Sequence, residues 1–152
     1  MQLVHYLSLL SISENKLADA FRAVADAHKE EVEVRRTGTR LAAQCREHAG
    51  RLQPFVDRYR QEADDDPANL HGDLFHGPRD GPLGMLRDLH DLYLMAAECD
   101  IVWTLIGQAA QGARDRELFD VITSCEGQTK IQLRWLETQL RQAAPQVLVV
   151  AR

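Results

Sequence analysis

With 152 residues the chain has room for one domain with a real core, and too little for two ordinary ones. It is 45% hydrophobic and 27% charged with only nine glycines and five prolines, and its wealth of Ala, Leu, Arg, Glu and Gln predicts an all-α domain over residues 1–152. A formal net charge of −5 excludes the broad basic face that nucleic acid requires, and Arg35, Arg36 and Arg40 sit among acidic neighbours as on a solvated helix face.

The opening MQLVHYLSLLSI is apolar, yet it lacks a basic leader and a small-residue cleavage site. It also reaches Ser13-Glu14-Asn15-Lys16 too soon to span a bilayer, so it reads as mature protein with no membrane segment. Cys45, Cys99 and Cys125 fall inside helical patterns at wide spacing, and no C-x-x-C occurs. A reducing, cytoplasmic setting with the thiols as small buried side chains is the expectation.

In chain order, a first helix from about Gln2 to Lys29 carries positions 3, 7, 10, 14, 17, 21 and 24 on one stripe, and Glu14 is its charged member. A short turn is expected near Glu30 to Val34, where charge density rises. A second helix, about Arg35 to Arg60, aligns Leu41, Cys45, His48, Leu52, Phe55 and Tyr59, with Pro54 expected to kink it. From Gln61 to Pro82 the acidic, Pro- and Gly-bearing run QEADDDPANLHGDLFHGPRDGP reads as a long connection, with a helical turn at Asn69 to Phe75 started by Asp66-Pro67. A third helix follows, from Leu83 to near Gly112, with Leu94, Met95, Ile101, Val102, Leu105 and Ala109 as its core face and Glu98 in the middle of it. The fourth, about Asp115 to Ala143, has the stripe Leu118, Ile122, Cys125, Thr129, Leu133, Leu136 and Leu140, flanked by Glu126. Pro145 is expected to stop it before the apolar, β-prone tail QVLVVAR.

Four such helices joined by a short, a long and a short connection predict an antiparallel four-helix bundle with one crossover between helices two and three. Glu14, His48, Glu98 and Glu126 then fall near mid-height of their helices. A carboxylate in a core stripe is costly unless it is protonated, hydrogen-bonded or paired. Here the chain resembles the ferritin-like superfamily, whose di-iron members carry one Glu on helices one and three and a Glu-x-x-His on helices two and four. Glu14 and Glu98 match the lone glutamates, His48 the His of the first pair and Glu126 the Glu of the second. Cys45 stands where the first pair would have Glu, and Thr129 where the second would have His. For intact members the resemblance implies iron binding with oxygen chemistry or iron storage.

Three readings stay open for this centre. Glu14, His48, Glu98 and Glu126 hold a single iron, manganese or zinc ion, with Cys45 as a soft extra ligand. Alternatively the centre is a degenerate, metal-free and non-catalytic one, its glutamates held by hydrogen bonds and by His48 in its charged form. In the third, Lys130, one turn away, or Arg134 neutralises Glu126 and the glutamate faces solvent.

Elsewhere, His71 and His76 with Asp73 form a polar turn or a surface metal site, and His90-Asp91 extends a polar channel toward Glu98 or marks a solvated helix end. Trp103 and Trp135 are expected in packing. No Gly-rich phosphate loop and no G-x-S-x-G is present. A competing class is an interaction module without any ion: surplus apolar residues on the third and fourth helices, including Leu92, Tyr93, Ile106 and Trp135, and the tail predict a symmetric homodimer.

Overall fold

Four long helices make up the protein: α1 (Leu3–Ala27), α2 (Val32–Arg60), α3 (Gly81–Gly112) and α4 (Arg116–Pro145). The structure, a computed structural model, describes residues 2–61, 70 and 72–150, and no strand occurs among them. In α1 every member of the expected stripe, including Glu14, is buried, and in α2 the stripe from Leu41 to Tyr59 is buried throughout. Both helices are strongly amphipathic, so their sequence period fixes which face turns inward.

Helix ends follow local chemistry. α2 begins at Val32, earlier than expected, with Glu33 in its first turn, where a carboxylate complements the helix dipole. Pro54 lies within α2 on its exposed side, and the helix runs on to Arg60. Gly81, at a φ of 75°, turns the chain into α3, and Pro82 follows in the first turn, where its missing N–H goes unneeded. α3 closes with Arg114 in the left-handed region (φ 56°), Arg114 N–H donating to Gln111 O and Asp115 N–H to Ala110 O. This double bond pattern satisfies carbonyls that a helix end otherwise leaves open. Asp115 then caps α4, its side chain accepting from Leu118 N at 3.1 Å.

The helix directions follow from which residues pair. Arg58 and Tyr59, ending α2, both donate to Asp115 at the start of α4, at 3.0 and 2.7 Å. At the other end of the bundle His28, just past α1, meets Asp88 near the start of α3. α1 thus runs antiparallel to both α2 and α3, and α4 antiparallel to α2 and α3. The connection from residue 61 to residue 80 joins opposite ends of the bundle. At the α1–α2 crossing, Gly38 lets the backbones approach: a Cβ there would sit 3.2 Å from Ala25 Cβ.

Three expectations change. On α3 the buried face is Leu89, Leu92, Met95, Ala96, Cys99, Val102, Trp103 and Ile106, whereas Leu94, Ile101 and Leu105 are exposed. The helix is apolar around most of its girth, so apolar spacing did not select one face, and the predicted stripe is rotated from the true one. Pro145 is the last residue of α4 rather than a stop, and the chain continues as a π-helical turn, Gln146–Val150, with Leu148, Val149 and Val150 exposed. Of the helical turn expected at 69–75, residues 72–75 are not helical; Asp66, Pro67, Asn69 and His71 lie outside the described residues. No helix among the described residues is long and apolar enough to cross a membrane.

Candidate functional site

At mid-height of the bundle a polar group sits inside an otherwise apolar core. α1 delivers Glu14, fully buried, whose Oε1 accepts from Trp103 Nε1–H of α3 at 3.0 Å and lies 3.4 Å from His48 Nδ1 of α2. His48 is also fully buried, and its Nε2 is 2.7 Å from Gln128 Oε1 of α4. All four helices therefore contribute one side chain. The Trp103 ring meets the imidazole edge-on, with centroids 5.8 Å apart and planes at 89°.

With the Gln128 amide oxygen turned toward it, both ring nitrogens of His48 face oxygen acceptors, an arrangement that the doubly protonated ring satisfies in full. Burial pulls the His48 pKa down. The bond and charge of Glu14, followed by Gln128 and Glu47, outweigh it and leave the pKa above the ordinary histidine value. Cys45 and Cys99 are buried in the same region; burial first, and the Glu14 charge second, hold both thiols well above their usual range. Cys45 Sγ also lies 3.8 Å from Gln132 Oε1, and Gln132 donates to Gln44 at 2.7 Å. Cys125, buried beside Arg51, is pushed up to about 11 by burial.

Of the four residues expected to converge, the structure brings Glu14 and His48 together and leaves Glu98 and Glu126 apart from them. Glu98 is half-buried on the wall between α1 and α3, where it lines a cavity of about 260 Å³ with Ser13 and Lys16. Its displacement follows from the rotation of α3, which turns Cys99 and Trp103 inward instead. Glu126 accepts from Thr104 Oγ1 at 3.3 Å and pairs with Lys130 at 3.7 Å, the local neutralisation that one of the three readings describes. Thr129 is buried with its hydroxyl donating to Cys125 O of its own helix at 2.9 Å.

These residues do not fit a two-metal carboxylate centre. They supply one central carboxylate and an imidazole with both nitrogens engaged, whereas a two-metal centre needs several carboxylates and a free imidazole nitrogen. Glu14 Oε2 is buried without a hydrogen-bond partner, a single open acceptor. Among the described residues no three of His, Cys, Asp and Glu are grouped so as to hold a metal ion.

A second polar cluster closes the end of the bundle where the crossover arrives. Asp88, fully buried, accepts from His28 Nε2 at 2.8 Å and from Arg79 through its backbone N at 3.0 Å and Nη1 at 2.8 Å. Arg79 Nη1 also reaches Asp91 Oδ2 at 2.9 Å, and Arg87 stands 3.0 Å from Asp91 Oδ1. Asp91 is thus buried in this cluster rather than part of a channel to Glu98, while His90 beside it is exposed. Of the loop residues, His76 is exposed and Asp73 pairs with Lys16 at 2.8 Å; His71 is outside the described residues.

Sequence reasoning missed Trp103, Gln128 and Gln132 as members of the centre. The available signal was the indole N–H of Trp103, a donor that burial obliges to find an acceptor. Comparison with protein-family models, with curated proteins and with solved structures found no match.

Proposed function

We propose that this chain is a ferritin-like four-helix bundle in which a Glu14–His48 pair, tied to Trp103 and Gln128, stands where such bundles carry metal, and that it works as a non-catalytic helical module. The crossover between the ends of α2 and α3, and the pairing of α1 with α3 and α2 with α4, support the ferritin-like assignment. The observation that carries the functional reading is the engagement of both His48 nitrogens, by Glu14 and Gln128. A metal would have to displace one of those bonds and the proton behind it. Protein purified without chelator after growth with iron, manganese or zinc should contain each only at background. Near-stoichiometric metal that disappears in a Glu14→Gln, His48→Ala double variant would overturn the reading.

A second reading, a homodimeric interaction module, draws on the surface. Between α1 and α3 runs an apolar groove of about 580 Å³ that includes Leu3, Tyr6, Leu105, Ile106 and Ala109, and the exposed Leu148, Val149 and Val150 extend from the opposite end of the bundle. A two-fold pairing covers such surfaces at low cost in new contacts. Light scattering of the full chain should then give a dimer that dissociates on truncation after Pro145 or on Leu105→Glu. A monomer in all three samples would sink this reading.

A further inference from the structure

The cavity that holds Glu98 lies apart from the buried centre, between α1, α3 and the segment 72–75 of the crossover. Its walls are mostly apolar, with Phe75 and Met95 among them, and Phe75 packs against the core of the bundle. The charges around it are nearly all matched. Lys16 pairs with Asp73 at 2.8 Å, tying the crossover segment to α1 across the cavity, and Asp19 pairs with Arg46. Glu98 is the exception: among the described residues it is the one carboxylate of the lining with no hydrogen bond or ion pair. Ser13, nine-tenths buried, likewise lines the cavity, its hydroxyl without a hydrogen bond to any of the described residues.

Since Glu14 and Trp103 set the antiparallel register of α1 and α3, Ser13 and Glu98 are offset by about 9 Å along the helix axis, at roughly 1.5 Å per residue. An apolar cavity with one unbalanced negative charge and, some distance along, one unmet hydroxyl selects for a particular chemistry. A cation with N–H donors is needed at the carboxylate, an apolar body in between, and a hydrogen-bonding group at the serine. Neutral and anionic ligands leave the Glu98 charge uncompensated as the cavity fills and sheds water.

We propose that this cavity is a binding site for a small primary-amine cation with an apolar body, its ammonium held by Glu98 and its far polar end by Ser13. The site is independent of the Glu14–His48 pair, so it stands whatever metal analysis finds there.

Tyramine serves as the probe, titrated into the full chain by calorimetry or by chemical-shift mapping, with 4-ethylphenol as the same body without an ammonium. Saturable one-to-one binding of tyramine is expected, about tenfold tighter than 4-ethylphenol, the value of one charge-assisted hydrogen bond. Glu98→Gln should weaken tyramine by about tenfold and leave 4-ethylphenol unchanged. Ser13→Ala should weaken tyramine but leave 2-phenylethylamine, which lacks the hydroxyl, unaffected. Absence of saturable tyramine binding to the unsubstituted chain, or equal affinity for tyramine and 4-ethylphenol there, would overturn the proposal without recourse to any variant. So would an affinity for tyramine that Glu98→Gln leaves intact.

Discussion

Replacing His48 by alanine is expected to destabilise the fold by about 3–5 kcal/mol, because it leaves the Glu14 carboxylate buried with Trp103 as its remaining N–H donor. The separation of 3.4 Å between Nδ1 and Oε1 puts the effect toward the lower end of that range. Replacing both partners, as Glu14→Met with His48→Leu, should recover most of the loss, since desolvating the pair costs about as much as their attraction returns. The pair also predicts a pH dependence of known sign. The folded-state pKa of His48 lies above its ordinary value of 6.5. Its stabilising contribution is therefore complete below about pH 6.5 and is lost as pH rises through the higher folded value. Urea unfolding at several pH values should show the natural chain losing stability relative to the doubly apolar variant as the solution becomes basic. A His48→Ala protein as stable as the parent, or a difference that does not change with pH, would refute the account of the centre.

The next largest effect is expected at Asp88. Asp88→Ala removes the acceptor for His28 Nε2, for Arg79 N–H and for one Arg79 guanidinium bond; Arg79 Nη1 keeps Asp91, while His28 Nε2 and the Arg79 amide lose their acceptor. A cost of about 2–4 kcal/mol follows. Because Arg79 is the last anchor of the crossover before α3, hydrogen exchange at the Arg79 amide should quicken together with the loss of stability. Gly84→Ala attacks the same anchor from below: its Cβ would stand 2.8 Å from Arg79 Cβ and 3.0 Å from the Arg79 carbonyl carbon. Backbone must shift, at roughly 1–3 kcal/mol. Should Asp88→Ala unfold within about 0.5 kcal/mol of the parent, as an ordinary surface change would, the cluster does not anchor the crossover.

The two outer cases of legibility are α1 and α3. In α1 polar and apolar residues separate cleanly, so the three- and four-residue spacing around Glu14 identified both the helix and its buried carboxylate. The same holds for His48 on α2. In α3 the exposed Leu94, Ile101 and Leu105 imitate a core face, and Glu98, which shares it, was carried to the centre with them. What decides the true face is not spacing but partners: Trp103 needs an acceptor and finds Glu14, and Asp88 and Asp91 need cations and find Arg79 and Arg87. Those partners lie on other elements, and no local pattern announces them. Thr129 is buried as its stripe position implies, yet motif matching gives no sign that its hydroxyl turns to its own backbone or that Glu126 pairs with Thr104 and Lys130 away from the centre.

The three thiols have a use that follows from their burial. Cys45, Cys99 and Cys125 sit one each on α2, α3 and α4, all fully enclosed and held in the protonated, unreactive form. An alkylating reagent can modify a given thiol only after its own helix has parted from the others. The chain thus carries three native clocks for the opening of individual helices, from which the order in which the bundle comes apart can be timed without adding a label.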